Sequence, residues 1–125
     1  MLIDTDVLIW MTRGHAGAAV RLQGLLPWRI SAVTYMELAQ GCRNRQELEQ
    51  VKAGLALCHT EILPITNGIS TLAMDLIDRY ALSHGLRMGD ALIAATAQEH
   101  GLTVLSANVK HFGAVESLAL EAFTP

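Results

Sequence analysis

The chain has 125 residues, of which 51% are hydrophobic and 17% are charged, and its formal net charge is −3. This length is typical of one domain, so we expect residues 1–125 to form a single domain. The charge argues against a protein that holds nucleic acid through a basic surface alone, but not against an enzyme whose acidic pocket binds cations. The apolar stretches are too short to cross a bilayer and no signal-peptide pattern opens the sequence, so we expect a cytoplasmic protein without membrane contact.

Short apolar runs alternate with helical patterns through the first half of the chain. Pro27 is expected to end one helix, and Gly41 lies near the expected end of another. In chain order, the predicted elements are a strand at 2–3, a helix that begins at Thr5 or Asp6 and runs through Met11, a helix at 16–26, a strand at 28–33, helices at 34–42 and 46–58, and a strand at 62–65.

The clearest helix in the sequence follows Asn67, which we predict to be its N-cap. Its apolar residues recur with helical spacing and form one stripe, whereas Asp75 and Asp78 fall outside the stripe, as expected for a solvent-facing side. The members of the stripe are Ile69, Leu72, Ala73, Leu76, Ile77, Tyr80 and Ala81.

The last part of the chain predicts an interior helix and two more strands. Residues 90–100 form a helical pattern that is apolar nearly all round, which places this helix in the middle of the domain. Residues 102–105 are predicted to be a buried strand, and Phe112 with the tail is predicted to add an edge strand. Because short apolar strands alternate with helices, we predict an α/β fold with three layers, α/β/α, around a short and mostly parallel sheet.

Polar residues stand where the predicted strands end or where the interior helix begins. Asp4 follows the first strand, Glu37 follows the second, and Asn108 comes after the strand at 102–105, while Asp90 opens the interior helix. Because the carboxyl ends of parallel strands meet at one edge of a sheet, we expect these four side chains to lie close together. Mg²⁺ and Mn²⁺ prefer oxygen ligands, and a bound cation relieves the repulsion among clustered carboxylates.

Each of these residues also has a purely structural explanation. Asp4 could cap the following helix, Thr34 and Glu37 fit a capping box, and an acid at position 90 is favoured by the helix dipole. Asn108 is a residue type common in turns. These explanations are independent of one another, whereas a metal site accounts for all four positions together.

Asp6, two residues after Asp4, has two open interpretations: it supplies an outer-sphere oxygen to the metal site, or it sits in the first turn of a helix. The pair also resembles the D-x-D opening of haloacid-dehalogenase-type phosphatases. Leu8 stands where that motif has Thr or Val, and the chain is short for that fold, so a phosphatase is kept only as an alternative.

Four segments resemble the motifs of PIN-domain proteins, in the order and spacing of that family and over nearly the whole chain. Residues 1–9 resemble its opening strand, which ends in Asp followed by Thr, and residues 31–41 resemble its second motif. Residues 89–97 resemble the D-A-L-I-A-A-x-A segment of VapC-type toxins, and residues 105–112 resemble the closing T-x-N-x-x-x-F segment. The sequence is therefore similar to the toxin ribonucleases of VapBC pairs.

The resemblance implies a PIN-like fold, an endoribonuclease that acts on RNA with Mg²⁺ or Mn²⁺, a small antitoxin partner and a homodimer. Asp4, Glu37 and Asp90 match the acidic metal ligands of the family. Ser106 stands where Thr is usual, Asn108 stands where some relatives have Asp, and we expect both to position the attacking water. Because an amide adds no negative charge, we expect one tightly bound ion rather than two.

The same comparison leaves a non-enzymatic alternative, a catalytically degenerate PIN domain that binds RNA or protein. Asn108 favours this alternative, and Gly89, which is often a larger residue in the family, is expected to loosen the start of the helix that follows it.

Two groups of residues are candidates for contacts with substrate or partner. The basic residues that could contact phosphate are Arg13, Arg43, Arg45, Arg87 and Lys110. An apolar groove for an amphipathic antitoxin helix, or else ordinary core, is expected from Trp10, Met11, Leu22, Leu25 and Leu26.

Overall fold

The computed structural model describes residues Met1–Pro125, in which short strands alternate with helices. The five strands are β1 (Leu2–Ile3), β2 (Arg29–Ser31), β3 (Glu61–Leu63), β4 (Val104–Ser106) and β5 (Leu120–Ala122). The seven helices are α1 (Thr5–Thr12), α2 (Ala16–Gln23), α3 (Ala32–Gln40), α4 (Arg45–Leu57), α5 (Asn67–His84), α6 (Met88–His100) and α7 (Val109–Phe112).

All strand pairs are parallel, as predicted. Strands β1, β4 and β5 form one sheet in the order β1-β4-β5, and β2 pairs with β3 in a second. Strand β1 also contacts β2, so the five strands follow one another side by side. Their carboxyl ends therefore lie along one edge, where Asp4 continues β1 and Ser106 is the last residue of β4.

Alternate strand residues pack against helices on opposite faces of the sheet, which gives the predicted three layers. Leu2 and Val104 belong to a core shared with α5 and α6. Ile3 and Leu105 belong to a second core shared with α1, α2 and α4. The predicted stripe of α5 faces the first core, and α6 lies in the interior, where most of its residues are buried. None of the helices combines the length and apolarity needed to cross a membrane.

Several helix boundaries differ from the prediction because the residues that cap the helices lie earlier or later in the sequence than expected. Ser31 accepts a hydrogen bond from the backbone N–H of Val33 at 3.0 Å, so α3 begins at Ala32 and the strand before it is shorter than predicted. Helix α2 ends at Gln23 rather than at 26, because Gly24 forms its C-cap. Thr66, not Asn67, caps α5, since its hydroxyl accepts from the N–H of Ile69 at 3.1 Å.

The C-terminal region also departs from the prediction. Phe112 is not part of an edge strand; it is fully buried in the short helix α7, and the edge strand β5 forms further along the chain. Strand β4 begins at Val104, two residues later than predicted, and ends at Ser106, one residue later than predicted. Helix α6 begins at Met88 rather than at Asp90, which becomes its third residue.

Candidate active site

Asp4 lies at the carboxyl end of β1, where it caps α1. One of its carboxylate oxygens, Oδ1, accepts from the N–H of Thr5 at 2.8 Å, and Oδ2 accepts from the hydroxyl of Ser106 at 2.7 Å. The residue is only 6% exposed. The capping role predicted as an alternative is therefore present, but it uses only one of the two oxygens.

Ser106 connects Asp4 to the segment that follows β4. Its side chain is completely buried, and its Oγ also accepts from the backbone N–H of Asn108 at 2.8 Å. The hydroxyl thus fixes the carboxylate of Asp4 and the start of α7 relative to each other.

Asp6 lies beside the same hydroxyl. Its Oδ2 accepts from the backbone N–H of Ala107 at 3.1 Å and lies 3.4 Å from Ser106 Oγ. Its other oxygen, Oδ1, is buried and has no hydrogen-bond partner. A buried polar atom without a partner is uncommon and costs free energy unless an ion or water satisfies it.

Burial disfavours the ionisation of both acids, and Asp6 further disfavours the ionisation of Asp4. Burial, and then the charge of Asp6, raise the pKa of Asp4 from its ordinary value of 3.8 to about 8. Burial likewise raises the pKa of Asp6. Two carboxylates with raised pKa values in one place are the electrostatic condition that a divalent cation relieves.

Glu37 projects from α3 towards the same edge. Its Oε1 accepts from the hydroxyl of Thr5 at 2.6 Å, and the Thr5 hydroxyl also lies 3.1 Å from that of Thr34. The proposed capping box of Thr34 and Glu37 is wrong, because α3 begins at Ala32 and is capped by Ser31. Capping therefore does not explain the acid at position 37.

Gly89 makes room for Glu37 at the start of α6. A Cβ atom added to this glycine would lie 3.3 Å from Glu37 Oε2 and 3.9 Å from a methyl group of Val33. The carboxylate of Glu37 therefore packs against the helix turn that carries Asp90.

Asp90 accepts from the backbone N–H of Arg87 at 3.3 Å and also contacts a histidine that no sequence motif indicated. Nδ1 of His111, on α7, lies 3.1 Å from Asp90 Oδ2 and 3.2 Å from Asn108 Nδ2. Asn108 caps α7 through its Oδ1, which accepts from the N–H of His111 at 3.4 Å. Asn108 thus has the structural role expected of a turn residue. Its side-chain amide also contacts the imidazole ring of His111, which in turn contacts Asp90.

The structure brings all five sequence-predicted site residues to one edge of the sheet through a chain of short contacts. The chain runs from Glu37 through Thr5 to Asp4, then through Ser106 to Asn108, and through His111 to Asp90. No three His, Cys, Asp or Glu side chains are close enough together to form a complete metal site. The residues that could hold a cation are the buried Asp4 and the partly buried Asp6, together with Glu37 and Asp90 at the same edge of the sheet.

A family model of the PIN domain matches residues 1–117, almost the whole chain. The chain belongs to the PIN-domain family. This membership replaces the phosphatase alternative drawn from Asp4 and Asp6.

Relatives of this PIN domain are named as ribonucleases or solved as toxin–antitoxin complexes. Ribonuclease VapC10 of Mycobacterium tuberculosis is 36% identical over 124 residues, which cover 94% of this chain and 90% of that protein. Ribonuclease VapC19 of the same organism is 34% identical over 116 residues, 89% of this chain and 90% of that protein. A toxin–antitoxin complex from Klebsiella pneumoniae contains a chain with a TM-score of 0.79 and 27% identity, covering 94% of both chains.

The PIN domain also carries an apolar groove of about 970 Å³ between α1, α2, α3 and α4, and Glu37 lies on its wall. Met11 and Leu26 line this groove, as predicted. Leu22 does not, because it is completely buried in the core, and Trp10 and Leu25 pack against that core. The other large apolar side chains of the groove are Leu8, Ile9, Trp28, Leu38, Leu55 and Leu57.

The five candidate phosphate contacts of the PIN domain divide into two groups. Arg43, just before α4, pairs with Glu47 at 2.8 Å, and Arg45, the first residue of α4, pairs with Glu49 at 3.6 Å. The three that form no ion pair are Arg13, Arg87 and Lys110.

Proposed function

We propose that this PIN domain is a Mg²⁺- or Mn²⁺-dependent endoribonuclease and the toxin of a toxin–antitoxin pair. The observation that carries the proposal is the meeting of Asp4, Glu37 and Asp90 at one edge of the sheet, through hydrogen bonds and close packing. The names of the relatives VapC10 and VapC19 support the same reaction class.

The donor chemistry of the site fits a hard divalent cation. All candidate ligands are carboxylate oxygens, the acids at positions 4 and 6 have raised pKa values, and Asp6 Oδ1 is buried without a partner. A complete cage of protein ligands is not required, because Mg²⁺ usually binds through one or two carboxylates and keeps several waters. When bound, such a cation supplies Lewis acidity towards a phosphodiester and its attacking water.

The protein's own residues hold the acids in position for this chemistry. Asp4 and Asp90 act as the principal ligands, and Glu37 acts directly or through a water. The Ser106 hydroxyl orients Asp4 Oδ2, and the Thr5 hydroxyl orients Glu37 in the same manner. Asn108, at the mouth of the site, orients water through its amide.

The RNA backbone approaches this edge from the side of α6 and α7. Arg87 lies three residues before Asp90, Lys110 lies two residues after Asn108, and neither forms an ion pair. We assign the phosphate contacts to these two side chains, since Arg43 and Arg45 are already paired with acids on α4 and Arg13 lines the apolar groove instead.

The antitoxin partner occupies the apolar groove beside Glu37. An amphipathic segment seated there covers exposed apolar surface and reaches the edge of the site at the same time. A homodimer and a cytoplasmic location are further parts of the proposal.

The test is cleavage of a structured RNA by the purified chain. We expect cleavage with Mg²⁺ or Mn²⁺, none in EDTA, and a loss of about 100-fold or more in Asp90→Asn. Asp78→Asn, an exposed acid on α5, is the matched control and should keep full activity. Cleavage that persists in EDTA or in Asp90→Asn would contradict the proposal.

The degenerate PIN domain is the second candidate, and two observations favour it. Asn108 adds no charge at the position where a fourth acid would stand. In addition, no three His, Cys, Asp or Glu side chains are close enough together to form a complete metal site. In that case the purified chain would bind RNA or a protein partner while neither Mn²⁺ binding nor RNA cleavage could be measured.

A further inference from the structure

Apart from the Ser106 hydroxyl, the predicted site has three carboxylates and one amide. Asp4, Glu37 and Asp90 each bring a negative charge, whereas Asn108 brings none. The affinity of an oxygen site for a divalent cation depends on the number of charged ligands. A fourth charge near Asn108 would therefore have a direct effect on cation binding.

Asp6 is the remaining acid at this edge of the sheet, and it lies beside the segment that leads to Asn108. Its Oδ2 is 3.1 Å from the N–H of Ala107, the residue that directly precedes Asn108, and 3.4 Å from Ser106 Oγ. Although Asp6 belongs to α1, its carboxylate thus borders the turn after β4, where a fourth acid would be attached.

The two oxygens of Asp6 are used differently. Oδ2 accepts from the protein, whereas Oδ1 is buried and accepts from nothing. If Asp6 only fixed the turn after β4, an uncharged Asn would serve equally well, because an amide oxygen also accepts from an N–H. A buried oxygen without a donor is instead suited to a cation.

We propose that Asp6 supplies the fourth carboxylate of the site in place of Asn108 and binds the divalent cation directly through Oδ1. This inference rests on the proposed function, because it assigns a further ligand to the same metal site.

The experiment is titration calorimetry of the full-length, metal-free protein with Mn²⁺. We expect Asp6→Asn to weaken Mn²⁺ binding about tenfold or more while the fold remains intact, since the amide oxygen can still accept from Ala107. Asn108→Asp in the Asp6→Asn background restores a charge at the neighbouring position and should recover most of the lost affinity. Asp78→Asn removes an exposed acid and should leave Mn²⁺ binding unchanged.

The outcomes separate this inference from the proposed function. Mn²⁺ binding by the unsubstituted chain with equal affinity in Asp6→Asn would overturn the role of Asp6 and leave the nuclease proposal standing. Failure of the double variant to recover affinity would overturn the exchange between positions 6 and 108. No Mn²⁺ binding by the unsubstituted chain would overturn both proposals.

A second measurement keeps the inference testable if Asp6→Asn does not fold. In crystals of the unsubstituted chain soaked with Mn²⁺, an ion at about 2.1 Å from Asp6 Oδ1 would support the assignment. An ion held by Asp4 and Asp90 with Asp6 outside coordination distance would overturn it.

Discussion

Among single residues, Asp4 makes the stability of the metal-free protein depend on pH. Its pKa is about 8 in the folded protein and 3.8 ordinarily, so the folded state retains a proton that the unfolded state releases. The stabilisation from this proton is complete below about pH 4 and is lost as the pH rises to about 8. We therefore expect the unfolding temperature in EDTA to fall by about 3 °C or more between pH 5 and pH 8. Thermal unfolding followed by circular dichroism measures this.

The contacts of Asp4 define the control for this pH dependence. The charge of Asp6 opposes its ionisation, whereas the Ser106 hydroxyl and the Thr5 N–H favour it. Asp4→Asn removes this titration and should make the profile shallower, with the remaining slope coming from Asp6, whose pKa burial also raises. Asp78→Asn should keep the full slope. Mn²⁺ should raise the unfolding temperature most at the higher pH, where the acids are ionised. A profile of Asp4→Asn with the same slope as that of the unsubstituted chain would show that Asp4 is not the responsible group.

The sequence predicts which residues meet at the site better than it predicts what holds them. Asp4 and Asp90 follow from one rule, that strand ends and helix starts of a parallel sheet share an edge. Thr5 and His111 do not follow from it, because their contacts depend on where α3 and α7 come to rest after folding. The only local signal for His111 is its place three residues after Asn108, where a short helix turns it back towards the cap.

Among the elements, the close packing of α3 against the first turn of α6 depends on Gly89. We predict that Gly89→Ala keeps or slightly raises stability, since alanine favours a helix by about 1 kcal/mol, yet lowers RNA cleavage. The added Cβ would lie 3.3 Å from Glu37 Oε2, so the carboxylate has to move by a few tenths of an ångström. This movement disturbs the hydrogen bond that Glu37 Oε1 accepts from the Thr5 hydroxyl. Unfolding temperature and cleavage rate, measured on the same preparation, separate the two effects.

A second helix substitution distinguishes displacement of Glu37 from a general effect of helix stability. Ser70→Ala, at an exposed position of α5, also raises helix propensity but contacts no site residue, and its cleavage rate should be unchanged. An unaltered cleavage rate in Gly89→Ala would mean that the contact between Glu37 and α6 has no part in the reaction. In that event, Gly89 would have no role in the reaction beyond its place in the first turn of α6.

The element boundaries explain where sequence reasoning about the helices stops. The periodic stripe of α5 and the apolar composition of α6 are long-range patterns, and both predicted the observed packing. The start of a helix depends instead on a single capping side chain. Ser31 and Thr34 are both of a residue type that commonly caps helices, so either could have capped α3. The choice of Ser31 is made by the sheet, because this residue ends β2 with its side chain buried at the edge where α3 begins.

In the whole molecule, the acidic edge and the apolar groove meet at Glu37. The groove is open to solvent along α4, where Leu57 is 81% exposed, and it ends at a side chain of the site. A partner segment that covers the groove therefore also approaches the acids. We therefore expect a partner bound in the groove to inhibit RNA cleavage without any change in the fold.

Leu57→Glu tests this link. We predict that it weakens binding of the antitoxin about tenfold or more, because a charge placed in an apolar interface loses its hydration without gaining a partner. The partner to test is any small protein encoded by the reading frame next to that of this chain, co-expressed with it, and its inhibition of RNA cleavage is the measurement. Leu82→Glu, on the exposed side of α5 and outside the groove, is the matched control and should leave inhibition unchanged. Because Leu57 is largely exposed, the substitution should not lower the unfolding temperature of the free chain, so full inhibition of Leu57→Glu would mean that the antitoxin binds elsewhere.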